Sequence, residues 1–75
     1  MTDEEDFLFE NPDARRLPQY DSQTAKAYST GRYLILFDKD DGSLAWKFDI
    51  ITYRVIFECE HIKKGREMLK RLLGF

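Results

Sequence analysis

Cys59 and His61 stand two residues apart, flanked by Glu58 and Glu60. A thiolate, an imidazole and carboxylates are donors of the kind that hold zinc, but a tetrahedral site needs four ligands. With one cysteine and one histidine in the chain, carboxylates would have to complete the set, and a buried thiol is the ordinary role of a lone cysteine. As a nucleophile, Cys59 needs a base held beside it and a third group that orients the base. His61 shares a face with Cys59 only if one strand runs through both, and no orienting acid is specified. A single cysteine forms no internal disulfide, which fits a reducing, cytoplasmic setting.

Asp38, Asp40, Asp41 and Gly42 raise calcium in the same way. An EF-hand loop requires acids at its first, third and fifth positions and glycine at its sixth, whereas counting from Asp38 puts Gly42 fifth. Starting at Phe37 aligns the glycine but places Phe37 and Lys39 where ligands are required. A solvated hairpin turn accounts for the same residues. The remaining carboxylates sit in turns and in a polar arm, with no fixed separation, and no glycine-rich phosphate loop is present. The expectation is a chain without metal, cofactor or catalytic centre.

Binding chemistry is better represented. Residues 1–30 carry seven acids and three bases, residues 31–60 six and four, and residues 61–75 one and five, so the chain is acidic in front and basic behind. Lys63, Lys64, Arg66, Lys70 and Arg71 can neutralise phosphates, and Tyr33, Phe37, Trp46 and Tyr53 can stack on unpaired bases. The strands lack the glycine and aromatic pattern of an RNA-recognition motif, and the net charge of −2 opposes a polyanion. Five bases are also ordinary on the solvent face of an amphipathic helix. Within the acidic stretch Asp3 to Glu10, Phe7, Leu8 and Phe9 form an apolar patch that can dock in a partner's groove while the acids steer it, form a solubilising tail, or fold over the chain's own basic helix.

These residues need elements to position them. The acidic block, Pro12 and Pro18 argue for a largely irregular arm over residues 1–30, with at most one turn begun by Asn11 and Pro12. The apolar run Tyr33 to Phe37 reads as a strand buried on both faces. Lys39 to Gly42 supplies a turn, and Leu44 to Ile50 a second strand. A two-residue turn at Asp41-Gly42 would set Phe37 opposite Trp46, Ile35 opposite Phe48 and Tyr33 opposite Ile50, with Leu34 and Leu36 on the other face, and a four-residue loop would shift the pairing by two and keep the same faces. Thr52 to Glu60 alternates as a third strand, although a helix beginning near Asp49 fits the same residues. From His61 the period is helical: Ile62, Met68, Leu69, Leu72 and Leu73 form the apolar stripe, Gly65 marks a close contact or a late start, and Gly74 ends the helix.

The resulting expectation is one α+β domain at 31–75: a small antiparallel β-meander of two or three strands, one C-terminal amphipathic helix across the face bearing Trp46 and Phe48, and the acidic arm at 1–30. Forty-five residues make a small core, and one helix covers only one sheet face, leaving Leu34 and Leu36 to be covered otherwise. A non-catalytic protein-binding module is therefore expected, regulatory, inhibitory or accessory to a larger protein, through Phe7, Leu8, Phe9, Leu34 and Leu36. It would be a homo-oligomer or a member of an obligate complex, with no membrane segment. A nucleic-acid module using the basic helix is the alternative.

Overall fold

The computed structural model of the chain describes residues 1–74. Five antiparallel strands lie in sequence order: β1 (Arg15–Arg16), β2 (Ala25–Ser29), β3 (Tyr33–Asp38), β4 (Leu44–Asp49) and β5 (Arg54–Glu58). Helix α1 (Asp3–Glu10) precedes them and α2 (Glu60–Leu73) follows. The class is α+β, as expected, but the two or three expected strands are five, and the C-terminal helix is joined by one at the N-terminus.

The difference lies in residues 1–30, expected to be largely irregular. Asp3, Glu4, Glu5 and Asp6 fill the first turn of α1, where the positive end of the helix dipole favours carboxylates. Thr2 caps it, its hydroxyl accepting from the Glu5 N–H at 3.1 Å. Asn11 closes this helix, its side-chain amide donating to the Phe7 carbonyl at 3.0 Å, and also opens the expected turn at Pro12, its own carbonyl accepting from the Ala14 N–H at 3.0 Å. In β2, alanines that propensity disfavours are held by pairing, with Ala27 opposite Leu36 and Tyr28 opposite Ile35. The outer edge of β2 is closed by β1 and then by Asp21 and Ser22. The Asp21 carboxylate accepts from the Ala27 N–H at 2.8 Å, and the Ser22 N–H donates to the Ala25 carbonyl at 3.0 Å.

The β3–β4 hairpin forms, but its register differs from the expected one. A four-residue turn, Lys39 to Gly42, sets Phe37 opposite Leu44, and a bulge at Ala45 then pairs Leu36 with Trp46 and Leu34 with Phe48. One extra residue exchanges the faces of everything beyond it. Trp46 and Phe48 therefore share the back face with Leu34 and Leu36, opposite Ile35 and Phe37. Residues 54–58 form the third strand of the meander expected from the sequence, not the start of a helix, and they pair with β4.

The core sits on the front face, where Tyr28, Ile35 and Phe37 are buried and Phe7, Tyr33 and Leu44 pack around them. Phe7 comes from α1, its ring 5.2 Å from that of Phe37 and 5.9 Å from that of Tyr28. The arm thus folds over the chain's own sheet, not over its basic helix. Helix α2 does not cross the sheet as expected. None of its residues is buried, Ile62 alone among its apolar side chains is half-buried, and Met68, Leu69, Leu72 and Leu73 are exposed. Gly74 ends it in the left-handed conformation at φ 79°, where glycine escapes the Cβ clash.

Candidate functional site

Helix α1 is latched to the hairpin turn at three points. The Glu4 N–H donates to the Gly42 carbonyl at 2.9 Å, the Asp3 carboxylate accepts from the Leu44 N–H at 2.8 Å, and a Cβ on Gly42 would lie 2.9 Å from Thr2. Gly42 is thus required twice, by its φ of 71° and by this close approach. Over the core, the Tyr28 hydroxyl donates to Glu4 at 2.7 Å, and Lys26 pairs with the same carboxylate at 2.7 Å. Burial raises the Glu4 pKa, and the Lys26 and Tyr28 hydrogen bonds more than reverse it, leaving Glu4 below the ordinary range. Burial and the Glu4 carboxylate push the Tyr28 phenol up to about 12.

A second polar knot holds the β4–β5 turn. Asp49, 3% exposed, accepts from the Ile51 N–H at 2.9 Å, the Thr52 N–H at 3.1 Å and the Arg32 guanidinium at 3.1 Å. Burial raises its pKa, but the Thr52 amide, Arg32 and the Ile51 amide outweigh that and lower it. The turn then admits Tyr53 at φ 57°, a conformation unfavourable for an aromatic residue. Tyr53 stands edge-on to Phe48 at 6.2 Å, and Phe48 lies 5.4 Å from Trp46, so an aromatic row runs along the back face.

From this row onward the chain is open. Ile50, Ile51, Tyr53, Val55, Ile56, Phe57, Met68, Leu69, Leu72 and Leu73 are all 41–80% exposed. A bulge at Ile56 interrupts the outer edge of β5, which lowers its capacity to extend the sheet by a regular ladder. The bulge also places Glu58 on the back face opposite Trp46, where its carboxylate takes Arg66 at 3.0 Å.

The residues singled out from sequence separate into three groups. Phe7 packs inside the chain, leaving Leu8 at 37% and Phe9 at 85% exposure on the outer side of α1. Leu34 and Leu36 are half-buried beside Trp46 and Phe48 on the back face. Lys63, Lys64, Arg66, Lys70 and Arg71 are exposed along α2, with Arg66 engaged by Glu58. The structure thus brings Leu34 and Leu36 together, but not with the Phe7 patch. Sequence reasoning missed Val55, Ile56 and Phe57 as surface residues, because alternation resembles that of a covered strand.

The chemistry-bearing residues do not converge. Cys59 follows β5 as the N-cap of α2 and His61 lies within the helix, so one strand does not carry both. Among the described residues, no group of three or more His, Cys, Asp or Glu side chains is placed to hold a metal ion, and no helix is long and apolar enough to cross a membrane. An open cleft of about 420 Å³ between α1 and the sheet has Asp3, Asp6 and Glu10 on its rim and Tyr33 and Lys47 on its floor, the Lys47 ammonium 4.3 Å from the Tyr33 ring. Comparison with protein-family models, with curated proteins and with solved structures finds no match.

Proposed function

We propose that the chain is a small non-catalytic protein-binding module, regulatory, inhibitory or accessory in role, that docks through its C-terminal half. The observation that carries this reading is the run of ten exposed large apolar residues between Ile50 and Leu73. Large exposed apolar patches are rare on folded monomers and mark interaction sites, and Tyr53 and Val55 beside the back face and Met68, Leu69, Leu72 and Leu73 on α2 are exposed side chains of this kind. Helix α2 supports it further, because a lone helix of 14 residues is marginal in water without tertiary cover. Affinity capture from the native cell tests the reading. A protein partner retained by the wild type and lost with Leu69→Asp/Leu73→Asp is the expected result; identical protein sets for both would end it.

Nucleic-acid binding is a second reading, favoured by the exposure of Lys63, Lys64, Lys70 and Arg71 on one projecting helix. It predicts affinity that falls steeply with salt and a shallower slope when these residues become Gln. No binding to single-stranded or duplex probes at low salt removes it.

A further inference from the structure

The open half presents two complementary surfaces that do not cover each other: the apolar stripe of α2 and the back face carrying Leu34, Leu36, Trp46, Phe48 and Val55. We propose that α2 of each chain lies across the back face of a second copy, in a reciprocal two-fold dimer. This rests on the reading of the C-terminal half as a docking surface and names its occupant.

Three observations point to a second copy. The first is charge. Residues 1–59 hold twelve acids and seven bases, net −5, and α2 holds two acids and five bases, net +3. Two α2 helices packed on each other would bring like charges together, whereas α2 on another copy's body joins opposite ones. Register places the acids Asp38 and Glu58 on the same face as Leu36 and Trp46, and Glu58 already takes an arginine of α2.

The second is the hinge. Cys59 is the only residue between β5 and α2, and its N–H is tied to the Ala45 carbonyl at 2.9 Å. With Glu60 already helical the connection has no slack, and α2 meets its own sheet only near its start, through Arg66 on Glu58 and the half-buried Ile62, while Met68, Leu69, Leu72 and Leu73 stay exposed. Short hinges of this kind favour exchange between protomers. The lengths agree: 14 helical residues span about 21 Å, and the six residues of β4 about 20 Å.

The third is Gly65, three residues after Ile62 and four before Leu69, and so on the apolar stripe. A Cβ there would meet nothing within 4 Å in its own chain, so no contact of the folded chain requires a residue that weakens the helix. In the exchanged dimer it lets the helix approach the aromatic row closely. The outer surface of α1, with Phe9, stays free for a larger partner.

The test uses the full chain. Sedimentation over a wide concentration range should give twice the 9.0 kDa chain mass. Isotope-filtered NMR on mixed labelled and unlabelled chains should show contacts between the Leu69 and Leu72 methyls of one copy and the Trp46 indole of the other. Eight Gly/Ser residues inserted between Cys59 and Glu60 should release α2 onto its own sheet and convert the dimer to a monomer of the same helix content. A strictly monomeric wild type overturns the proposal, as does a dimer without these intermolecular contacts, or a monomer that binds nucleic-acid probes. Because the NMR contacts are read on the wild type, misfolding of the insertion variant does not shield the proposal. The affinity capture above decides the protein-binding reading separately, since a monomer that still retains a different protein through Leu69 and Leu73 ends the exchange and leaves that reading standing.

Discussion

The two ends of this chain treat the same sheet in opposite ways. Helix α1 is only eight residues long, yet it is capped by Thr2, latched to Gly42 and Leu44, and drives Phe7 into the ring cluster of Tyr28 and Phe37. Helix α2 is 14 residues long and strongly amphipathic, yet it buries none of them. Helix length and amphipathicity therefore do not decide what a helix covers. The connections differ: Asn11 to Ala14 leaves α1 room to lie on the front face, whereas Cys59 alone joins β5 to α2, which touches the back face through Arg66 on Glu58 but leaves its apolar stripe exposed.

The largest test of this contrast is truncation in each half. Phe37→Ala removes the centre of the covered side and should cost about 4 kcal/mol in urea denaturation, enough to unfold so small a domain. Leu72→Ala, at 78% exposure, should change the stability of the isolated chain by no more than about 0.5 kcal/mol. Equal costs would erase the difference between the two halves.

Gly42→Ala should cost about 1–2 kcal/mol through its left-handed backbone alone, and more as the new methyl displaces Thr2 from the cap of α1. The same denaturation experiment reads it, and loss of Tyr28 ring protection in NMR would show α1 lifting. An unchanged midpoint would mean that the latch contributes nothing.

Acid should weaken the fold through its depressed carboxylates. The Asp21 carboxylate, bonded at 2.6 Å to both terminal nitrogens of Arg16, is lowered from 3.8 to about 2 by that pair and by the Ala27 amide. A depressed carboxylate stabilises the fold above its unfolded pKa, and this contribution disappears as pH falls from about 4 to about 2. Glu4 and Asp49 are also lowered and act in the same direction. Thermal melts across this range should show Tm falling, with Asp21→Asn less stable at neutral pH and flatter in acid. A profile identical to that of the wild type would contradict the assignment.

The smallest effect is the most discriminating. Gly65→Ala should strengthen α2 by up to about 1 kcal/mol where nothing packs on it, and weaken association where a second copy does. Circular dichroism of dilute chains and sedimentation of concentrated ones should therefore move in opposite directions. Parallel gains in both would leave Gly65 without a role.

The legible part of the fold was local. Tyr33 to Phe37, the acidic turn and the helical period after His61 each depend on neighbours in sequence, and β3, β4 and α2 appear where those patterns lie. What escaped depends on distant residues. The four acids after Thr2 carry the composition of a tail, and their helical character depends on the cap and on a sheet that Phe7 can reach. Ala25 and Ala27 have weak strand propensity and are selected by their neighbours in β3. The bulge at Ala45 has no local signal, and by exchanging faces it moved Trp46 and Phe48 from the expected core to the back face beside Leu34 and Leu36. Leu34 and Leu36 stand opposite Phe48 and Trp46 on that face.

Amide hydrogen exchange at increasing protein concentration tests most directly whether the C-terminal half requires an occupant. The account predicts that protection of residues 60–73, low in the dilute chain, rises with concentration far more than that of β2, β3 and β4, whose amides the sheet ladder already holds. Strong protection of α2 at the lowest concentration, equal to that of β3, would contradict it.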